Sequence, residues 1–236
     1  MKVGQNISVQ PADWRFNEQV ADQFDEHIAL SIPFYHEGHE LICHLSDFFV
    51  HRDSRVYDLG TATGQLLKRL AQHHAHKPEV TWYGIDNEPG MIARARQQCQ
   101  GLANVEFIEE DLIHHQFAPA DLIIAYYTLQ FVPERFRQQV FDKLYQSLNW
   151  GGALILFEKV RAPDARFQDI TTTLYRDYKR HRGFTVEEIY NKESALKGVL
   201  SPFSTAGNLG LLQRAGFEDI MTVMKYICFE GFLCIK

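Results

Sequence analysis

Residues 55–64, Arg55-Val56-Tyr57-Asp58-Leu59-Gly60-Thr61-Ala62-Thr63-Gly64, decide the fold. A short apolar strand enters a turn of small residues, and Gln65-Leu66-Leu67-Lys68-Arg69-Leu70 continues as a helix. In an open parallel sheet, ligands settle at the carboxyl ends of the strands, where the first such turn brings backbone amides close to a nucleoside. Gly60 and Gly64 carry no Cβ to block that approach. A dinucleotide fold carries G-x-G-x-x-G at this point. Here the turn reads Asp-x-Gly-x-x-x-Gly with Ala62 inside it, which disfavours pyrophosphate and sets a dehydrogenase aside.

Two further acids follow at the same level. The strand Val80-Thr81-Trp82-Tyr83-Gly84-Ile85-Asp86 ends in a carboxylate placed to accept ribose hydroxyls, with Asn87 or Glu88 left to cap the helix that starts near Pro89. The next strand, Val105-Glu106-Phe107-Ile108-Glu109-Glu110, leads into Asp111-Leu112. The pattern Asp58, Gly60, Gly64, Asp86, Asp111 resembles the class I S-adenosylmethionine (SAM) dependent methyltransferases over residues 50–160. That resemblance implies an α/β, Rossmann-like fold: a seven-stranded, mostly parallel sheet with helices on both faces and an antiparallel C-terminal strand. It also implies SAM as cofactor, with the glycine loop beside its methionine part, Asp86 at the ribose and Asp111 near adenine.

Composition sets outer limits. The 236 residues are 45% hydrophobic and 23% charged, which suits one large domain with a full core. A net charge of −6 counts against a broad nucleic-acid surface and favours a small-molecule partner. No apolar run reaches the roughly 20 residues of a membrane span, and the polar start lacks the apolar core of a signal peptide, so a cytoplasmic location is expected. Cys43, Cys99, Cys228 and Cys234 lack C-x-x-C spacing and read as reduced core thiols. The histidines at 36, 39, 44, 73, 74, 76, 114 and 115 repeat no known ligand spacing with a carboxylate, so no metal is expected.

Outside the core, apolar spacing predicts an arm helix over 18–28, a break at Ile32-Pro33-Phe34-Tyr35, and a helix over 37–49 with Leu41, Ile42, Leu45, Phe48 and Phe49 on one side. Such an arm closes over a cofactor, which makes Tyr35 a contact candidate. The buried strand over 121–127 ends in Tyr126 and Tyr127, predicted to face opposite ways, one into the cleft. An amphipathic helix from Glu134, a strand over 153–157 finishing at Glu158-Lys159, a helix over 209–215 stopped by Gly216, and strands over 220–226 and 231–235 complete the core. Residues 164–200 form an insertion read as a cap or dimer surface, where Lys179-Arg180-His181-Arg182 solvates a helix end. Tyr126, Glu158 and His181 are the groups considered for an acceptor's proton.

Nearly the whole chain is similar to a narrower family, the carboxy-SAM synthases that supply a modified SAM for wobble-uridine modification in bacterial tRNA. The carrying pieces are Trp14-Arg15-Phe16-Asn17-Glu18, Ser31-Ile32-Pro33-Phe34-Tyr35, Tyr57-Asp58-Leu59-Gly60, Ile85-Asp86-Asn87, Thr128-Leu129-Gln130-Phe131, Gly151-Gly152-Ala153-Leu154 with Glu158-Lys159, and Ala215-Gly216-Phe217. The resemblance implies a homodimer, and a nucleoside site lined by Tyr35, Gly60, Thr61, Ala62, Asp86, Asn87, Asp111, Leu112 and the residue at 126. Two departures fall in functional places: Tyr126 stands where the family has asparagine, and Glu193 where the family has an arginine that grips the extra carboxylate. A glutamate there repels such a group, which favours plain SAM and methyl transfer to a small-molecule acceptor over carboxy-SAM synthesis. If the register slips by one residue, Lys192 or Lys197 takes the arginine's place. A non-catalytic SAM-binding partner or sensor subunit is the third reading.

Overall fold

The computed structural model describes residues 1–4, 7, 9–16, 18–21 and 23–236, with no description of the side chains of Glu18 and Gln19. Asn17 of the tryptophan motif and Asp22 of the arm therefore lie outside the described residues. The arm holds α1 (Glu18–Ala21), α2 (Phe24–Ser31) and α3 (Tyr35–Ser46), so the single helix predicted over 18–28 is two pieces. The core then alternates β1 (Arg55–Leu59), α4 (Gln65–His73), β2 (Thr81–Asp86), α5 (Pro89–Gln98), β3 (Val105–Glu109), β4 (Ala120–Tyr126), α6 (Glu134–Ser147) and β5 (Leu148–Lys159). The cap is α7 (Ala165–His181) and α8 (Val186–Ala195), followed by α9 (Thr205–Ala215), β6 (Asp219–Tyr226) and β7 (Phe229–Ile235). No helix among the described residues is long and apolar enough to cross a membrane.

The strands form one seven-stranded sheet in the order β3-β2-β1-β4-β5-β7-β6. β1 to β5 run parallel and β7 is antiparallel to both its neighbours. Alternation along β4 shows how the core is divided. Leu122, Ile124 and Tyr126 join the cluster against α3 and α4, while Ile123 and Ala125 join the one against α6 and α9. Both faces of the central strands are thus apolar and covered, which explains their near-continuous hydrophobic runs. The order reverses between β1 and β4, and this switch point opens a crevice at the strands' carboxyl ends.

Two local predictions change. Tyr127 leaves β4 with φ +61, so the strand's alternation stops at Tyr126 and both tyrosines pack in the same cluster, their ring centroids 4.6 Å apart. Phe48 lies beyond the end of α3 and is 75% exposed, leaving Leu41, Ile42, Leu45 and Phe49 to pack. Gly38, an unfavourable residue inside a helix, has its reason in Tyr126: a Cβ there would run into the tyrosine hydroxyl.

The arm and the cap are joined to each other. Val3, Ile7, Trp14, Val20 and Phe24 cluster with Met91 of α5 and Ala195 of α8. The Tyr175 hydroxyl donates to the Ser31 carbonyl at 2.9 Å, and the Asn191 amide donates to the Lys2 carbonyl at 2.9 Å.

Candidate active site

The rim of the crevice is built by three strand ends that tie one another in place. Gly60 turns the chain out of β1 with φ +64, and a Cβ there would collide with the Thr128 side chain, whose hydroxyl donates to the Leu59 carbonyl at 2.6 Å. The turn then lies across β2. The Thr61 amide donates to the Ile85 carbonyl at 3.0 Å, and the Ala62 amide donates to Asp86 Oδ2 at 3.0 Å. Asp86 Oδ1 accepts from the Glu88 amide at 3.0 Å, so Asp86 clamps both loops, and α5 starts at Pro89 with no side-chain cap. Burial raises the Asp86 carboxyl, and the amides of Glu88 and Ala62 work against that rise. Past β3, the Glu110 amide donates to the Asp86 carbonyl at 3.0 Å, and Asp111 accepts from the Ile113 amide at 2.8 Å.

Deeper in, the polar groups have fewer partners. Asp58 is buried and among the described residues accepts one side-chain hydrogen bond, from the Thr61 hydroxyl at 2.7 Å; burial pushes its carboxyl up to about 7 against that bond. Beyond it stand Tyr35, His39, Tyr126 and Tyr127. The Tyr126 hydroxyl donates to the Tyr35 carbonyl at 2.8 Å. The Tyr127 hydroxyl and both ring nitrogens of His39 are buried with no hydrogen-bond partner among the described residues.

These groups line two cavities that share Gly60, Asp86, Asn87, Thr128 and Phe131. The inner one, about 930 Å³, runs from Asp58 and residues 60–63 to Tyr35, His39, Tyr126 and Tyr127 between apolar walls. The outer one, about 470 Å³, is lined by Asp111 and Leu112. A continuous crevice with a few convergent polar groups in apolar walls suits a nucleoside joined to an amino acid. The donor set fits as well: each Asp86 oxygen already accepts one amide and keeps a lone pair for a ribose hydroxyl.

Of the residues singled out from sequence, Tyr35, Asp58, Gly60, Thr61, Ala62, Asp86, Asn87, Asp111, Leu112 and Tyr126 meet on these two cavities. Gly64 does not. It caps α4 at φ +79 and makes room for Ala95, whose Cβ would lie 3.0 Å from an added Cβ. Glu193 lines neither cavity: it accepts from Arg176 Nη2 at 2.7 Å and Lys179 Nζ at 3.5 Å, so its charge is matched within the cap. Lys179, read as solvating a helix end, is instead buried, with its ammonium 4.5 Å from the Tyr175 ring centroid. Glu158, pushed up to about 8 by burial, accepts from the Gln130 amide at 3.2 Å, and His181 is exposed; neither lines the cavities.

Sequence reasoning missed His39 and the wall residues Phe16, Phe24 and Phe131. The usable signal for His39 was its place four residues after Tyr35 on one helix, which puts both on one face. It also missed that Asp47, His73 and His74 place ligand atoms within 4.8 Å of one another, because Asp47 comes from the end of another helix. Hydrogen bonds account for that group: His73 Nε2 meets Asp47 Oδ1 at 2.8 Å, and His74 Nε2 meets the Ser46 hydroxyl at 2.7 Å.

Strand order, glycine turn and strand-end acids together define the class I SAM-dependent methyltransferase fold, and residues 56–152 match the family model for a methyltransferase domain. Human N-acetylserotonin methyltransferase, solved in complex with SAM, superposes with a TM-score of 0.62 at 17% identity, covering 93% of this chain and 56% of that one. The carboxy-S-adenosyl-L-methionine synthase of Staphylococcus epidermidis is 36% identical over 231 residues, 98% of this chain and 100% of that protein. The synthase of Campylobacter lari is 34% identical over 224 residues, 94% of each chain. The chain belongs to this carboxy-SAM synthase family.

Proposed function

We propose that the protein makes carboxy-SAM from SAM, and that the methyltransferase core is used here to modify its own sulfonium ligand. The observation that carries this reading is the pairing of Glu193. Preference for plain SAM, and for methyl transfer to a small-molecule acceptor, rested on a glutamate facing the ligand, and Glu193 faces Arg176 and Lys179 instead. Lys192 is buried beside them and donates to the Ser31 hydroxyl at 2.8 Å, and Lys159 at the end of β5 stands 4.5 Å from the Tyr175 ring centroid, so Glu193 faces lysines and an arginine of this protein. Relatives of the same name along nearly the full chain support the same reading.

Asp86 would hold the ribose, Asp111 and Leu112 the adenine, and Asp58 with residues 60–62 the methionine end. The bound sulfonium supplies an activated methyl carbon. Carboxylation there exchanges one C–H bond for one C–C bond, with the carboxyl coming from a donor acid and the methyl proton passing to the donor's carbon. The apolar inner cavity excludes water and aligns the two reactants, which is the main contribution such a site makes. The test is mass spectrometry of the nucleoside that co-purifies with the protein, followed by incubation with SAM and the low-mass fraction of a cell extract. A SAM-derived product heavier by the mass of CO2, a carboxyl in place of one methyl hydrogen, is expected; a methylated extract component with demethylated SAM would overturn the reading.

We further infer a homodimer paired through the cap. Phe167, Ile170 and Leu174 on α7 and Val186 and Tyr190 on α8 are 45–68% exposed, and the spacing on each helix lays them along one face. Ile170→Lys should shift light-scattering mass from dimer to monomer; an unchanged mass would remove this face from the interface.

A further inference from the structure

His39 is the best-buried polar group in the crevice that nothing among the described residues satisfies. It has no solvent exposure, it lines the inner cavity, and neither ring nitrogen has a partner among the described residues. Buried polar groups are almost always paired, so an orphan that faces a cavity is a group held ready for a ligand. Its ring is fixed by neighbours, with centroids 4.7 Å from Tyr35 and 5.0 Å from Tyr126. The Tyr126 hydroxyl is committed to the Tyr35 carbonyl and leaves no space over Gly38, so it is not available to His39.

The chemistry of the corner selects an acceptor. Burial first, then the Arg69 guanidinium and His36, lowers the His39 pKa to about 3, so the imidazole is neutral and offers one N–H and one lone pair. Arg69 acts on Tyr35 and Tyr126 as well, opposed by the carboxylates of Asp25 and Asp58 at Tyr35 and of Glu37 at Tyr126. A buried, unpartnered N–H donor in apolar walls suits an oxyanion, whose charge strengthens the bond it accepts.

We propose that His39 donates a hydrogen bond to the carboxylate that distinguishes carboxy-SAM from SAM, and so supplies discrimination that position 193, turned to Arg176 and Lys179, does not. The inference rests on the function proposed above. His39 is a specificity residue in this scheme, distinct from the ribose and adenine contacts at the rim.

Calorimetric titration of the full chain with SAM and with carboxy-SAM, for wild type, His39→Leu and His39→Gln, tests it. Wild type should bind carboxy-SAM more tightly than SAM. His39→Leu should lose about tenfold of that preference while its SAM affinity stays within about twofold, as expected for one hydrogen bond to a charged group. His39→Gln keeps an N–H donor and should retain most of the preference. Because the imidazole is unsatisfied without ligand, His39→Leu should unfold at or above the wild-type temperature. A preference intact in His39→Leu, or both ligands weakened equally, would overturn the role of His39 and leave the proposed function standing. A wild type that binds carboxy-SAM no better than SAM would overturn both.

Discussion

At the rim of the crevice, Asp86 and Asp111 accept backbone amides from their own and neighbouring loops, and the carboxylates act as struts before any ligand arrives. At the inner end, Asp58 has one hydroxyl partner, and His39 and the Tyr127 hydroxyl have none among the described residues. The rim is stable as it stands. The inner end carries unsatisfied polarity inside apolar walls, which costs folding free energy and is recovered when a ligand provides the missing partners. The difference teaches where recognition of the nucleoside stops and where recognition of the reacting group begins.

The sharpest way to break this contrast is at Asp58. Its folded pKa, about 7, lies above the ordinary carboxyl value of 3.8, so the folded protein holds a proton that the unfolded chain releases between those pH values. The associated stability is present below about pH 4 and is lost as pH rises toward 7, by up to about 4 kcal/mol at 1.36 kcal/mol per pKa unit. Asp58→Asn keeps an acceptor for Thr61 and removes the titration, so its stability should fall less than wild type's between pH 4 and pH 8 in urea unfolding. Glu158, also raised by burial, titrates in both proteins and cancels in the difference. Parallel curves would mean that Asp58 is charged and solvated, and the contrast with the rim would collapse.

A smaller effect is expected at the rim. Asp86→Ala removes the ribose acceptor and the clamp on the Ala62 and Glu88 amides, and SAM affinity should weaken on the order of 10- to 100-fold, the worth of hydrogen bonds to a charged group. Titration calorimetry reads it directly. Unchanged affinity would take Asp86 out of the site.

How much of this was legible before folding divides along the same line. The strand ends at Asp58, Asp86 and Asp111 could be read because each is a local event: an apolar run, a turn residue, an acid, a helix start. With Tyr35 from the arm and Tyr126 from the family resemblance, ten of the eleven proposed cofactor-site residues line the crevice, and Gly64 departs because its missing Cβ makes room for Ala95, a neighbour 31 positions away in the chain. Glu193 shows the opposite case. Its charge and its place in the family pattern were plain, but the meaning of a charge depends on what faces it, and Arg176 comes from the preceding helix of the cap.

The sequence by itself determined the strand–turn–helix units and the acids at their carboxyl ends, because these rest on periodicity and turn chemistry within about ten residues, while the family resemblance rests on motif pieces spread from Trp14 to Phe217. Tertiary structure decided which polar groups are satisfied. Tyr127 leaves its strand and turns to the same side as Tyr126, Gly38 yields its space to the Tyr126 hydroxyl, and His39 is packed against Tyr35 and Tyr126 with its nitrogens unmet among the described residues. Burial and hydrogen-bond satisfaction depend on atoms brought together from distant parts of the chain, and no local pattern encodes them.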